Sequence, residues 1–254
     1  MRKLFLSFFM IFFLSGCQTP NVLSDMRFQT TMAPPYLVAN WYKITEPGNT
    51  LKVYIEGDGN AFDKNGIPTD NPTPKSIFLR KIAAEDPSPN VVYLGRPCQY
   101  VKTGMCSEKD WTTGRFSKKI IDSSYKVIKD LQKKAKAEDL ILIGYSGGAT
   151  VAGLVAVKEP KRIKGVLTIA GVLDHNAWTE YHGDQALTES ENLKNHRKVF
   201  ETIPQHHFVG EKDKVVPPKL VQDFVKDDER VTVLPKATHD KGYEDIIKEV
   251  YHTR

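Results

Sequence analysis

The chain has 254 residues, of which 40% are apolar and 26% charged, and a formal charge of +5. That length and balance suit one globular domain with a sizeable core, and neither a repeat nor a low-complexity tract interrupts it. The charge excludes a dedicated nucleic-acid binder: Arg2 and Lys3 lie in an export segment, which leaves 5 − 2 = +3. The strongest basic run, Lys133, Lys134 and Lys136, ends a helical pattern, where cations favour the negative end of the helix dipole.

In chain order, Arg2 and Lys3 precede an almost unbroken apolar run from Leu4 to Leu14, and Leu14-Ser15-Gly16-Cys17 follows at once. A basic start, a short apolar stretch and small residues at its end are the layout of a secretory signal. The run is too short for a membrane span of about 20 residues. Leu-Ser-Gly-Cys is similar to the lipobox of bacterial lipoproteins. That resemblance implies removal of residues 1–16 as a signal peptide and acylation of Cys17 with palmitate-like chains. Because Gln18 rather than Asp follows the Cys, it also implies an anchor in the outer membrane of the cell envelope, on the periplasmic or surface side. Residues 17–27 are then expected to be a lipidated tether and residues 28–254 the folded domain. With Cys17 acylated, Cys98 and Cys106 remain, and two such thiols in an exported chain are expected to form a disulfide.

Short β-branched runs then alternate with amphipathic stretches, the order of a mostly parallel α/β sheet with crossover helices. Phe28 to Met32 and Leu37 to Ile44 read as an antiparallel pair around Pro34 and Pro35. Lys52 to Ile55 reads as a strand, Lys75 to Glu85 as a helix with Ile77, Phe78 and Ile82 on one face, and Val91 to Leu94 as a buried strand. A loop carrying both cysteines leads to a long helix, Ser117 to Lys136, with Ile120, Tyr125, Ile128 and Leu131 on a shared face. Leu140 to Ile143 is a short strand, and Ala149 to Val157 an apolar helix. Strands at Val166 to Ile169, His207 to Val209 and Val231 to Leu234, with helices at Lys219 to Val225 and Tyr243 to Tyr251, complete the alternation. Residues 172–200 break the rhythm and read as a small cap or excursion carrying Trp178 and Tyr181.

Between the strand ending at Ile143 and the helix from Ala149 stands Gly144-Tyr145-Ser146-Gly147-Gly148. Strand, Gly-x-Ser-x-Gly turn and helix form the context in which a serine is held in strained backbone at a helix N-terminus, where NH groups favour developing negative charge. Here the sequence resembles the α/β-hydrolase superfamily over nearly all of its mature length. The resemblance implies a nucleophile, then an acid, then a His. Ser146, Asp213 in Gly210-Glu211-Lys212-Asp213-Lys214-Val215-Val216-Pro217, and His239 after the strand at Val231 match that order. It implies an oxyanion hole formed by the backbone NH groups of Gly147 and, in Glu56-Gly57-Asp58-Gly59-Asn60, of Asp58, with Glu56 where relatives commonly carry His.

Each assignment has a plainer alternative. Asp213 also suits a turn carboxylate ahead of Pro217, and His239 a surface loop. Asp174, one strand earlier, is an alternative acid. His175 and His182 flank Trp178 and either line a pocket or face solvent, and one of His206 and His207 is expected in the core. Arg96, Tyr100, Trp111 and Arg115 either line the substrate cleft or pack the cysteine loop. No cofactor or metal is expected, because Gly-x-Gly-x-x-Gly, Gly-Lys-Ser/Thr and His-Glu-x-x-His are absent. Asp58, Asn60, Asp63 and Asn65 lack the register of a calcium loop. The expected activity is hydrolysis of a carboxylic ester or thioester, carboxylesterase- or lipase-like, by a monomer acting on a small-molecule or lipid ester. The alternatives are an aminopeptidase or amidase and a non-catalytic envelope lipoprotein that binds a partner.

Overall fold

The computed structural model describes residues 22–244, 246 and 250; the expected signal segment and lipid attachment at Cys17 lie outside the described residues. Eight strands are present: β1 (Arg27–Ala33), β2 (Tyr36–Ile44), β3 (Leu51–Ile55), β4 (Asn90–Leu94), β5 (Leu140–Tyr145), β6 (Ile163–Ile169), β7 (Gln205–Gly210) and β8 (Val231–Leu234). They form one sheet in the order β1-β2-β4-β3-β5-β6-β7-β8. β2 runs antiparallel to both its neighbours, and every pairing from β4 to β8 is parallel. This is the expected α/β-hydrolase architecture.

Six helices accompany the described sheet: α1 (Phe78–Glu85), α2 (Lys118–Ala135), α3 (Gly147–Ala156), α4 (His175–His182), α5 (Arg197–Phe200) and α6 (Pro218–Val225). The central strands are buried on both faces because alternate side chains feed two separate cores. Leu51, Val53, Ile55, Leu140 and Leu142 join the core beneath α2, α3 and α6, whereas Tyr54, Ile141, Ile143 and Tyr145 join that beneath α1. α1 starts at Phe78 rather than near Lys75, since Pro74 precedes it and the Ser76 hydroxyl takes the Phe78 NH at 3.2 Å. Of the expected last helix, Glu244, Ile246 and Val250 are described as helical, with Ile246 and Val250 buried; Tyr251 lies outside the described residues.

Two expectations change. The folded part begins before residue 28: Leu23 and Met26 are buried in the same core as Leu79 and Ile82, so residues 22–27 belong to the fold rather than to a tether. Two apolar side chains among polar neighbours carry no periodicity to reveal that. Residues 172–200 are only partly an overhang, for Leu187, Leu193 and Phe200 enter the main core, and α4 brings an aromatic, Trp178, toward the cleft beside Ser146.

Candidate active site

The loops after β3, β5, β7 and β8 all leave the carboxyl edge of the parallel strands, the edge at which open α/β sheets bind ligands. Ser146 stands between β5 and α3 at the centre of that edge, with φ 51° and ψ −123°. An L-residue pays strain for this conformation, which turns its hydroxyl out of the sheet. The flanking glycines are sterically required. A β-carbon on Gly144 would meet Ala149 Cα at 2.5 Å, and one on Gly148 would overlap the carbonyl oxygens of Ile55 and Glu56. The strand and α3 therefore approach too closely for a side chain at either position. Among the described residues, no protein acceptor takes the backbone NH of Gly147 or of Asp58.

His239 Nε2 lies 3.0 Å from Ser146 Oγ, and its Nδ1 lies 2.9 Å from Asp213 Oδ2. The other carboxylate oxygen of Asp213 accepts the NH groups of Val215 and Val216, each at 2.8 Å. The turn ahead of α6 thus fixes the carboxylate, the carboxylate fixes one face of the imidazole, and the imidazole reaches the serine. Tyr145 packs its ring 5.3 Å from that of His239 and holds it from the side.

Asp58 is held through its side chain. Arg96 Nη1 donates to its Oδ1, and Arg115 Nη1 donates to its Oδ2 at 2.6 Å. Burial alone would raise its pKa, but the guanidinium groups of Arg115 and Arg96 outweigh burial and hold the carboxyl below its ordinary value. A guanidinium NH of Arg96 also donates to the Arg115 carbonyl, which ties together the two ends of the cysteine loop. Beside it, burial pushes the Glu56 carboxyl up, although the Tyr93 hydroxyl and the Gly57 NH favour the ion. The Tyr93 hydroxyl in turn lies 2.7 Å from that of Tyr100. The sequence leaves Arg96 and Arg115 open between lining the cleft and packing the cysteine loop, and it does not reveal this clamp. Its one signal was a pair of arginines in a loop otherwise rich in aromatic and small residues.

The model of the Serine hydrolase (FSH1) family matches residues 81–240, well over half of the chain. The chain belongs to this serine hydrolase family. No relative among curated proteins matches its sequence. The fold is similar to that of an esterase from Pyrococcus furiosus, with 17% identity, a TM-score of 0.60, and coverage of 93% of this chain and 91% of that one. Est1E from Butyrivibrio proteoclasticus is similar with 12% identity, a TM-score of 0.61, and coverage of 88% and 94%. An α/β serine hydrolase homologue from Coxiella burnetii follows the same pattern, at 15% identity, TM-score 0.55, and coverage of 89% and 93%.

Several other candidates of this serine hydrolase take structural places. Asp174 caps α4, accepting the NH groups of Asn176 and Ala177 at 3.1 and 3.3 Å, and pairs with Lys194 at 2.8 Å. With those partners it is an anchor for α4. His175 is buried and stacks on Phe116, and burial lowers its pKa. His182 Nε2 lies 2.9 Å from the Val215 carbonyl, beside Trp178, whose indole NH donates to the same oxygen at 2.7 Å. His207 is the core residue of its pair, bonded to Thr168 Oγ1 at 2.8 Å. Cys98 and Cys106 are joined as a disulfide, and Trp111 packs into the same core as Cys98. A cleft of about 360 Å³ opens over Ser146, lined by Phe62, Arg115, Tyr145, Val172, Trp178 and Val215 among others. Among the described residues, no cluster of His, Cys, Asp and Glu could hold a metal ion, and no helix is long and apolar enough to cross a membrane.

Proposed function

We propose that the protein hydrolyses a carboxylic ester or thioester through an acyl-enzyme on Ser146. The observation that carries this reading is the unbroken hydrogen-bond chain from Ser146 Oγ through His239 to Asp213, at 3.0 and 2.9 Å. A serine hydroxyl is a weak nucleophile near neutral pH and needs an adjacent base. His239 Nε2 takes the Oγ proton as Oγ attacks the carbonyl carbon, and Asp213 stabilises the imidazolium that forms. The NH groups of Gly147 and Asp58 donate to the tetrahedral oxyanion. Collapse expels an alcohol or thiol, which receives the proton from His239. Water then attacks the acyl-enzyme with the same base, releasing the acid and restoring Ser146.

A fluorophosphonate is expected to label Ser146, and Ser146→Ala to abolish turnover of short p-nitrophenyl esters. A folded protein that does not label would sink this reading. Parallel panels of esters and peptides separate ester from amide cleavage, with turnover expected on the esters alone.

The chain's address is proposed from Leu14 to Cys17: a lipoprotein anchored through an acylated Cys17. Metabolic labelling with an alkynyl palmitate is expected to mark the wild type and not Cys17→Ser. Equal labelling of both would remove the anchor.

A further inference from the structure

A second cleft, of about 640 Å³, adjoins the one over Ser146, and Phe62, Arg115 and Trp178 line both. Arg115 occupies the waist between them. Its guanidinium carbon lies 5.3 Å from the centroid of the Phe62 ring and 6.0 Å from that of Trp178. Its side chain is only 6% exposed. Nε donates to the Thr112 carbonyl at 2.7 Å and Nη1 to Asp58 Oδ2 at 2.6 Å. Among the described residues, no acceptor takes Nη2.

The charges around it do not balance. Arg96 and Arg115 share the carboxylate of Asp58; of the other carboxyl groups nearby, Glu56 is pushed toward its neutral form by burial and Asp110 is paired with Lys119, while the cleft over Ser146 also carries Lys75, which no described carboxylate pairs. The remaining ionisable groups lining that cleft are His239, already bonded to Asp213, and Tyr145, which burial keeps in its neutral form. Burying a guanidinium is unfavourable unless anions and hydrogen bonds compensate it, and half of a carboxylate shared with Arg96 compensates only part. Farther out, Glu108 and Asp184 line the second cleft, so the excess of positive charge is confined to the waist. The cleft over Ser146 sets Arg115 and Lys75 against Asp58, an excess of one positive charge, which a singly charged carboxylate balances better than a phosphate monoester of about −1.5 to −2.

We infer that Arg115 is a specificity-determining residue whose free Nη2 binds a carboxylate on the substrate. The substrate class is then a half-ester or half-thioester of a dicarboxylic acid, an inference that rests on Ser146 being the nucleophile. Hydrogen bonds to charged groups of this kind correspond to a preference of about 10- to 100-fold over an uncharged isostere.

The test begins by labelling Ser146 with an uncharged fluorophosphonate, which reports the nucleophile regardless of acyl charge. kcat/KM is then measured for p-nitrophenyl half-esters of succinate, glutarate and adipate and for their methyl-capped neutral counterparts. The best half-ester is expected to exceed its neutral counterpart about 10- to 100-fold, with the ratio falling as salt is added. Arg115→Gln should bring that ratio near one. Because each ratio is taken within one protein, any loss through Asp58 cancels. If the variant does not fold, glutarate but not glutaramide is expected to protect wild-type Ser146 from the probe. A protein that labels but shows no preference, prefers a phosphate-bearing ester instead, or keeps its preference in Arg115→Gln overturns the carboxylate site and leaves Ser146 as nucleophile. A folded protein that fails to label overturns both.

Discussion

The carboxylate of Asp58 fills the space that a β-carbon on Gly147 would need. The two residues proposed to donate to the oxyanion are thereby locked together: the side chain of one sits against the bare backbone of the other. Since Arg96 and Arg115 hold that carboxylate, it cannot swing aside freely. Gly147→Ala is therefore expected to push the loop after β3 away from α3. Loss of one oxyanion donor corresponds to a fall in kcat of about 10²- to 10³-fold, and overpacking to a loss of about 1–3 kcal/mol in stability. Steady-state kinetics and a thermal melt read both, and an alanine variant with wild-type kcat contradicts the oxyanion assignment.

Asp58→Asn tests the clamp without touching the backbone NH. The amide keeps the shape but leaves two buried guanidinium groups facing a neutral side chain. Breaking a buried pair by removing one partner costs up to about 3–5 kcal/mol, and less here because the Asp58 side chain is 22% exposed. The sign with pH follows from its depressed pKa: the ion pairs contribute fully above the ordinary Asp value and are lost as pH falls through the lower folded value. Urea unfolding should show a stability gap between wild type and Asp58→Asn that is widest near neutral pH and narrows in acid. An equal gap at every pH would refute the electrostatic account.

Asp213 has separable duties on its two oxygens. Oδ1 accepts two turn NH groups, a task an asparagine carbonyl performs equally well, while Oδ2 fixes the His239 tautomer. Asp213→Asn is expected to keep the wild-type melting temperature and lose about 10⁴-fold in kcat, whereas Asp213→Ala should lose activity and turn stability together. Should Asp213→Asn retain most of its kcat, Asp213 does not orient the base.

How much of this was legible in the sequence depends on how local the determinant is. β5, the pentad and α3 are contiguous, and the same five residues state both the turn and its steric demand. Asp213 and His239 lie 67 and 93 residues beyond Ser146, yet each follows a strand in the expected order, so their meeting with Ser146 was expected from resemblance. The clamp was not readable. Arg96 and Arg115 reach Asp58 across 38 and 57 residues, and an arginine in a loop carries no mark of which carboxylate it will meet. Asp174 stayed open as an alternative acid for a related reason: a carboxylate after a strand suits a catalytic acid and a helix cap alike, and only the Asn176, Ala177 and Lys194 contacts separate them.

His207 sets an acid limit on the fold that is independent of catalysis. It is fully enclosed on β7, bonded to Thr168 Oγ1 at 2.8 Å and to Gln205 Oε1 at 2.9 Å. Burial, helped by repulsion from His206 and Arg230, lowers its pKa from 6.5 to about 3. The unfolded chain therefore binds a proton between those values that the folded chain refuses, and stability must fall as pH drops from 6.5 toward about 3. The slope from one such group is at most about 1.4 kcal/mol per pH unit. His207→Asn retains a polar partner for Thr168 and cannot titrate, so its urea midpoint should decline less steeply than that of the wild type across this interval, even if it starts lower at pH 7. Parallel declines in the two proteins would show that His207 is not the residue the acid limit depends on.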